Sequence, residues 1–328
     1  MRKTTTMSDA MSSKPIGVGN TTFEIAAENW LKVKQNEVKE STLAQYRRII
    51  QVNLTPTFRE MDWSAITPSE LNEFGERMLK KYHPRTARTI IVTANKIIEY
   101  AYENGFISSP HRMDIKIKTC KVSRPQVFTT VEQKILTEYL LAELDFQRLG
   151  ILVCMYTGLR LGEICGLKWS DIDLNRGVLK VSRTIQRISN GSGRTYFSIG
   201  KPKSESSERE IPLPHFLNDI LSKQTGASEC YLVTGTEDFL QPRTYQNILK
   251  KYYSFCNMSG YHFHSLRHTF ASRAIELGFD PKSLSEILGH SNVRITLDLY
   301  VHPSMEAKKR EMERFSSFVE IRKNDTFM

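Results

Sequence analysis

The stretch on which the reading of this chain turns is His264-Ser-Leu-Arg-His268. At a helix start, His264 and Arg267 stand three apart and share a face, as do His264 and His268. Three readings compete for it. His262, His264 and His268 are candidate metal ligands, but there is no H-E-x-x-H and no acidic ligand close by. For a lone pair of histidines, a satisfied structural role is the default. The third reading is a phosphate site, with Arg267 as a two-pronged clamp and a histidine as proton carrier.

The surrounding chain has 328 residues, enough for two domains with cores of their own. At 40% hydrophobic and 10% aromatic, it is folded and globular. Its 46 Lys and Arg against 36 Asp and Glu leave a net charge of +10, which points to an anionic partner. The excess is concentrated. Arg77, Lys80, Lys81, Arg85, Arg88 and Lys96 form one run without an acid; Arg176, Lys180, Arg183, Arg187, Arg194, Lys201 and Lys203 form another. Between them, Arg112, Lys116, Lys118, Lys121 and Arg124 face Asp114 alone. Any single run is ordinarily a solvated face. Two acid-free runs flanking a basic connector fit a DNA groove better. The candidate DNA contacts are the whole first run, Arg112, Lys116 and Lys118 of the connector, and Arg187, Arg194 and Lys201 of the second.

Several classes drop out. No run approaches 18 apolar residues, so no spanning helix and no membrane partner are expected. The first twenty residues lack the apolar core of a secretion signal. Five widely spaced cysteines (Cys120, Cys154, Cys165, Cys230, Cys256), with no C-x-x-C pair, read as buried thiols in a reducing cytoplasm. The sequence offers no evident metal or nucleotide site, with no G-x-x-x-x-G-K-[ST] and no G-x-G-x-x-G in a strand–helix context, and no metal or cofactor is expected.

Residues 1–20 are polar and read as a disordered tail. A helical domain is expected over 21–107. Thr21 and Thr22 cap a first helix through Phe23, Ala26, Ala27, Trp30 and Leu31. Ser41 and Thr42 open a second, stopped near Pro56; Thr67-Pro68 opens a third; Pro84 starts a long fourth, ended at Gly105. The stretch 108–125 reads as a basic linker. A mixed domain over 126–303 follows, with helices at Thr129 or Thr130 and from Phe146 to Tyr156. Strands are expected at 178–185, 195–199 and 209–213, and helices at 214–224, 241–255, 265–277, 281–288, 292–300 and 304–320. The fold is thus mainly α with a small antiparallel sheet.

Two further segments bear on the histidine–arginine stretch. Upstream runs Tyr156-Thr-Gly-Leu-Arg-Leu-Gly-Glu-Ile-Cys-Gly-Leu-Lys-Trp-Ser-Asp-Ile-Asp173; downstream runs Leu288-Gly-His-Ser-Asn-Val-Arg-Ile-Thr-Leu-Asp-Leu-Tyr300. Taken with His264–His268, they resemble the tyrosine recombinase (phage integrase) family in order and spacing, over about residues 20–320. The resemblance implies Arg160 and Arg267 as catalytic arginines, His264 and His290 as catalytic histidines, and Tyr300 as nucleophile. Pro202-Lys-Ser-Glu-Ser-Ser-Glu-Arg-Glu-Ile-Pro-Leu213 is similar to the family's lysine-bearing turn, which implies Lys203, with Lys201 two residues away. Glu163 matches an acidic position beside Arg160.

The implied chemistry suits these residue types. Two arginines clamp the non-bridging phosphate oxygens, Lys203 protonates the departing 5′ oxygen, His264 helps take the Tyr300 proton, and His290 bonds a phosphate oxygen. Attack leaves a 3′-phosphotyrosine, reversible without ATP or metal. The family also implies an N-terminal four-helix, SAM-like core-binding domain clamping duplex DNA with the catalytic domain at an inverted-repeat core site. It implies a tetramer on DNA, linked through the 304–328 tail, with an accessory bending or directionality factor, in the bacterial cytoplasm. About 20 residues precede the helical domain, too few for the arm-binding domain of two-site integrases, so either the enzyme works without arm sites or the chain is a fragment lacking them. The rivals are a monomeric type IB topoisomerase-like enzyme and a non-catalytic DNA-binding regulator.

Overall fold

A computed structural model describes residues 22–59, 61–63, 66–117, 125–190, 194–200 and 207–301, with 305, 308, 309, 312, 313, 315 and 316 beyond them. The chain divides into two compact units, 1–122 with 188–196 and 123–187 with 197–328.

The first unit is helical. Helix α1 (Phe23–Glu37) follows an extended Thr22 that makes no side-chain cap bond, and it buries Phe23, Ala26, Ala27 and Trp30. Helix α2 (Glu40–Ile49) opens one residue before Ser41, and Pro56 does not stop it. A π-turn over Ile50–Leu54 carries the helical path on into α3 (Thr55–Phe58), and its i→i−5 bonding, Thr55 N–H to Ile50 O, accommodates Pro56 without ending the helix. Helix α4 (Pro68–Lys81) starts on a reciprocal cap: the Thr67 hydroxyl accepts from the Glu70 N–H, and the Glu70 carboxylate accepts from the Thr67 N–H. Helix α5 (Pro84–Glu103) buries a stripe that includes Ala87, Ile90, Ile91, Ala94, Ile97 and Ile98. Each isoleucine there stabilises the unit by roughly 2 kcal/mol.

The basic stretch 108–125 is more than a connector. Met113 is buried, and Ile115 and Ile117 pack on the same core. Asn95 donates to the Met113 carbonyl and accepts from the Met113 N–H, as a neighbouring strand would. The alternation of Met113, Ile115 and Ile117 with charged residues has the period of extended chain, not helix. Residues 118–124 lie outside the described residues.

The second unit forms around α7 (Phe146–Thr157), buried from Leu149 through Met155, and α6 (Thr130–Ala142), which opens on a Thr129–Glu132 capping box. The strand expected over 178–185 breaks into β2 (Val178–Val181) and β3 (Thr184–Ser189), which join different sheets. The break has a local cause. Ser182 Oγ donates to Asp171, and Arg183 Nη1 donates to Asp171 and to the Gly166 carbonyl, so both side chains turn away from a strand path. β2 is the centre of an antiparallel sheet between β1 (Ile172–Asp173) and β5 (Arg209–Pro212), while β3 pairs with β4 (Thr195–Gly200). Two-residue β1 is too short to read from sequence.

The remaining helices are α8 (Leu161–Gly166), α9 (His215–Ser222), α10 (Pro242–Phe255), α11 (Phe263–Glu276), α12 (Pro281–Leu288) and α13 (Val293–Tyr300). Helix α11 begins two residues before its expected start, which puts His264 in its first turn. Among the described residues no helix is long and apolar enough to cross a membrane, and Cys154, Cys165, Cys230 and Cys256 are free thiols. The first two are buried and the others partly so; Cys120 lies outside the described residues.

Candidate active site

Three consecutive carbonyls at the end of α12 collect three arginines. Ile287 O accepts from Arg209 Nε at 2.6 Å, Leu288 O from Arg267 Nη2 at 2.7 Å, and Gly289 O from Arg160 Nη2 at 2.9 Å. The last carbonyls of a helix lack intrahelical donors and form the negative end of its dipole, so cations are stabilised there. Arg267 Nη1 donates in addition to Gly158 O at 2.8 Å, at the end of α7. Both glycines are left-handed, with φ of 69° at Gly158 and 65° at Gly289. A Cβ at Gly158 would stand 2.7 Å from Leu288 and Phe270, and one at Gly289 2.9 Å from Arg209. The glycines of T-G-L-R and L-G-H are therefore the turns that hand carbonyls to the arginines.

Glu163 holds the cluster from the other side. Its carboxylate accepts from Arg160 Nη1 at 2.7 Å and from Arg209 Nη1 and Nη2 at 3.3 and 3.1 Å. Burial alone would raise its pKa, but Arg209 and then Arg160 pull it down to about 2. Arg209 stands inside the segment read for its lysine, where sequence reasoning passed over it. Its only signal was a basic residue opening the strand-like stretch Arg209-Glu-Ile-Pro212.

The histidines have different partners. His268 Nδ1 lies 2.6 Å from the Tyr300 hydroxyl, and His264 sits edge-on against His268 with ring centroids 4.6 Å apart. It is His268, not His264, that meets the tyrosine: the two share a face of α11, and His268 is one turn nearer α13. His290 Nδ1 lies 2.8 Å from Thr296 Oγ1. Burial first, then neighbouring positive groups, lowers the pKa of His264 to about 4 and of His290 to about 3, so both rings are neutral at pH 7. Burial raises Tyr300 to about 12 against the opposing pull of Arg267 and Arg160.

Arg160, Glu163, His264 and His290 line one cleft of about 540 Å³, with Ser207 and Gln186 on its wall. Arg267 and Tyr300 are buried, at 2% and 8% exposure, and do not line it. Lys203 and Lys201 lie outside the described residues, as does Lys118. Of the expected DNA contacts, Arg77, Lys80, Lys81, Arg85, Arg88, Lys96, Arg112, Lys116, Arg187 and Arg194 are all exposed. Arg112 pairs with Glu99, and Arg77 with Glu73. The second basic run is less positive in space than in sequence, because Arg176, Lys180 and Arg183 pair with Glu210, Glu208 and Asp171. Among the described residues no group of three or more His, Cys, Asp or Glu could hold a metal ion.

Comparison with known proteins bears on the family and the fold. The model of the phage integrase family matches residues 132–307, and that of the phage integrase N-terminal SAM-like domain matches 22–89. A tyrosine recombinase XerC-like protein of Caldanaerobacter subterraneus subsp. tengcongensis is 33% identical over 183 residues, 49% of this chain and 47% of that protein. The chain thus spans about half the length of that relative. A Tn1549 transposon integrase in complex with a circular intermediate DNA shares the fold, with a TM-score of 0.72 at 21% identity over 90% of this chain and 100% of that one. A lambda integrase tetramer bound to a Holliday junction does so with a TM-score of 0.62 at 19% identity over 85% and 77%. With a family match over more than half its length, this chain belongs to the phage integrase family of tyrosine recombinases.

Proposed function

We propose that this protein is a site-specific recombinase that cuts and rejoins duplex DNA through a covalent 3′-phosphotyrosine at Tyr300, serving integration or excision of a mobile element. The observation that carries the reading is the cleft lined by Arg160, His264 and His290, with Arg267 on the carbonyl next to the one Arg160 holds and Tyr300 on His268, whose ring meets that of His264. A phosphodiester in this cleft meets cations at the non-bridging oxygens, where charge grows in the transition state. Arg160 uses one N–H of each terminal nitrogen on Glu163 and Gly289, which leaves the others for phosphate. His290, neutral and held by Thr296, has its second nitrogen available to a phosphate oxygen. Lys203 is the proposed general acid for the 5′ oxygen. Because Tyr300 is buried, attack requires its hydroxyl and the scissile phosphate to be brought together when DNA binds.

The partner is duplex DNA with an inverted-repeat core site, contacted by the exposed basic residues of both units. Exposed Met305, Met312 and Phe315 support a further part of the reading: the tail docks on a neighbouring protomer and builds a tetramer on DNA. Removing residues after His302 then leaves single-site binding intact and abolishes cooperative assembly; tetramers from that variant would overturn this part. The central test is a nicked suicide duplex carrying the core site, in EDTA. Wild type forms a covalent protein–DNA band and Tyr300→Phe forms none. A band that persists in Tyr300→Phe, or that needs added metal, overturns the mechanism.

A further inference from the structure

We propose that His268 is a catalytic residue of this reaction, holding the Tyr300 phenol and taking its proton as the oxygen attacks phosphorus. The inference rests on the recombinase reading above and adds a residue to it. At 2.6 Å, the Nδ1–hydroxyl contact is within reach for direct proton transfer. The geometry is fixed from both sides. The Tyr300 ring lies among Ala271, Ala274, Leu284 and Leu288, on the last residue of α13. The His268 ring is braced at its edge by His264, with the two planes at 90°.

The facing titratable and charged groups are His264 and Arg267 on its own helix and Tyr300 on α13. Burial, then Arg267, lowers the pKa of His268, which keeps the imidazole neutral at pH 7. A neutral imidazole has one acceptor nitrogen, and when Nε2 carries the hydrogen that acceptor is Nδ1. Tyr300 needs such an acceptor, because its own pKa is raised.

The step balances. The Tyr300 O–H bond breaks and its proton passes to His268 Nδ1, while the phenolic oxygen bonds to phosphorus. The bond from phosphorus to the 5′ oxygen breaks, and that oxygen leaves with a proton from the proposed acid Lys203. On rejoining, a 5′ hydroxyl returns its proton to that acid and attacks phosphorus; Tyr300 departs as a phenol with the proton held on His268.

Single-turnover cleavage of the nicked core-site duplex tests this. His268→Ala slows formation of the covalent adduct by about 100-fold or more, the usual scale for general-base loss, with DNA affinity unchanged. His268→Asn, which offers an acceptor oxygen but cannot carry a proton, stays slow. Tyr300→3-fluorotyrosine, a more acidic phenol, narrows the deficit of His268→Ala. Wild-type rates in His268→Ala or His268→Asn overturn the assignment, as does a deficit that fluorination leaves unchanged. Absence of an adduct from wild type itself would instead strike the recombinase reading.

Discussion

Arg209 grips Glu163 with both terminal nitrogens, at 3.3 Å to Oε1 and 3.1 Å to Oε2, and both side chains are buried. The same carboxylate holds Arg160, so one anion sets the spacing of two cations that repel each other. Removing one partner of a buried pair leaves an uncompensated charge and costs about 3–5 kcal/mol. Arg209→Ala is therefore expected to lose stability on that scale in urea unfolding. Arg209→Lys is expected to rescue little, since an ammonium lacks the planar fork that bonds two oxygens.

Acid should dismantle the same pairing. The folded-state pKa of Glu163 is about 2, below its usual 4.5, so its contribution is present above pH 4.5 and is lost as pH falls toward 2. A depression of this size corresponds to about 3 kcal/mol. Unfolding free energies measured from pH 5 to 2 should fall less steeply in Glu163→Gln than in wild type. Equal slopes would show that Glu163 does not titrate in this window.

Gly158→Ala tests the turn that carries Arg267. The new Cβ meets Leu288 and Phe270 at 2.7 Å in a left-handed conformation that alanine disfavours. The expected cost is about 1–3 kcal/mol from backbone strain, with a further penalty from the clash. Cleavage should fall more than binding, because the displaced carbonyl is the one that positions Arg267.

Much of this was legible wherever a local rule acted alone. Thr67 and Thr129, each followed three residues later by a glutamate, started their helices as caps do. The site motifs were legible likewise because the helix ends and glycine turns that form them are local features, although Arg267 meets Gly158, and Arg160 meets Gly289, across more than a hundred residues. What escaped reading depends on distant partners. Pro56 is accommodated by a π-turn, and the strand break at Ser182-Arg183 follows from Asp171, eleven and twelve residues away. Arg209 looked like one more basic residue until the fold set it on Glu163, 46 residues upstream. His268 was visible as a histidine, but its partner Tyr300 lies 32 residues downstream, and no spacing rule joins them.

Salt dependence separates basic residues that face DNA from those already neutralised by the protein. Deleting one cation that touches a phosphate reduces the slope of log affinity against log salt by about 0.9. Arg85 and Arg88 are exposed on α5, and no ion pair holds either one among those found in the described residues. The double variant Arg85→Ala, Arg88→Ala should flatten the slope by about 2. Arg176 is equally exposed but donates to both carboxylate oxygens of Glu210, so its charge is already answered on the surface. Arg176→Ala should leave the slope unchanged, even though this residue belongs to the longer acid-free run. Binding isotherms across a salt series decide the matter. If the Arg176 variant flattens the slope as much as the double variant does, the counterion atmosphere reads charge by position along the chain and not by pairing in space.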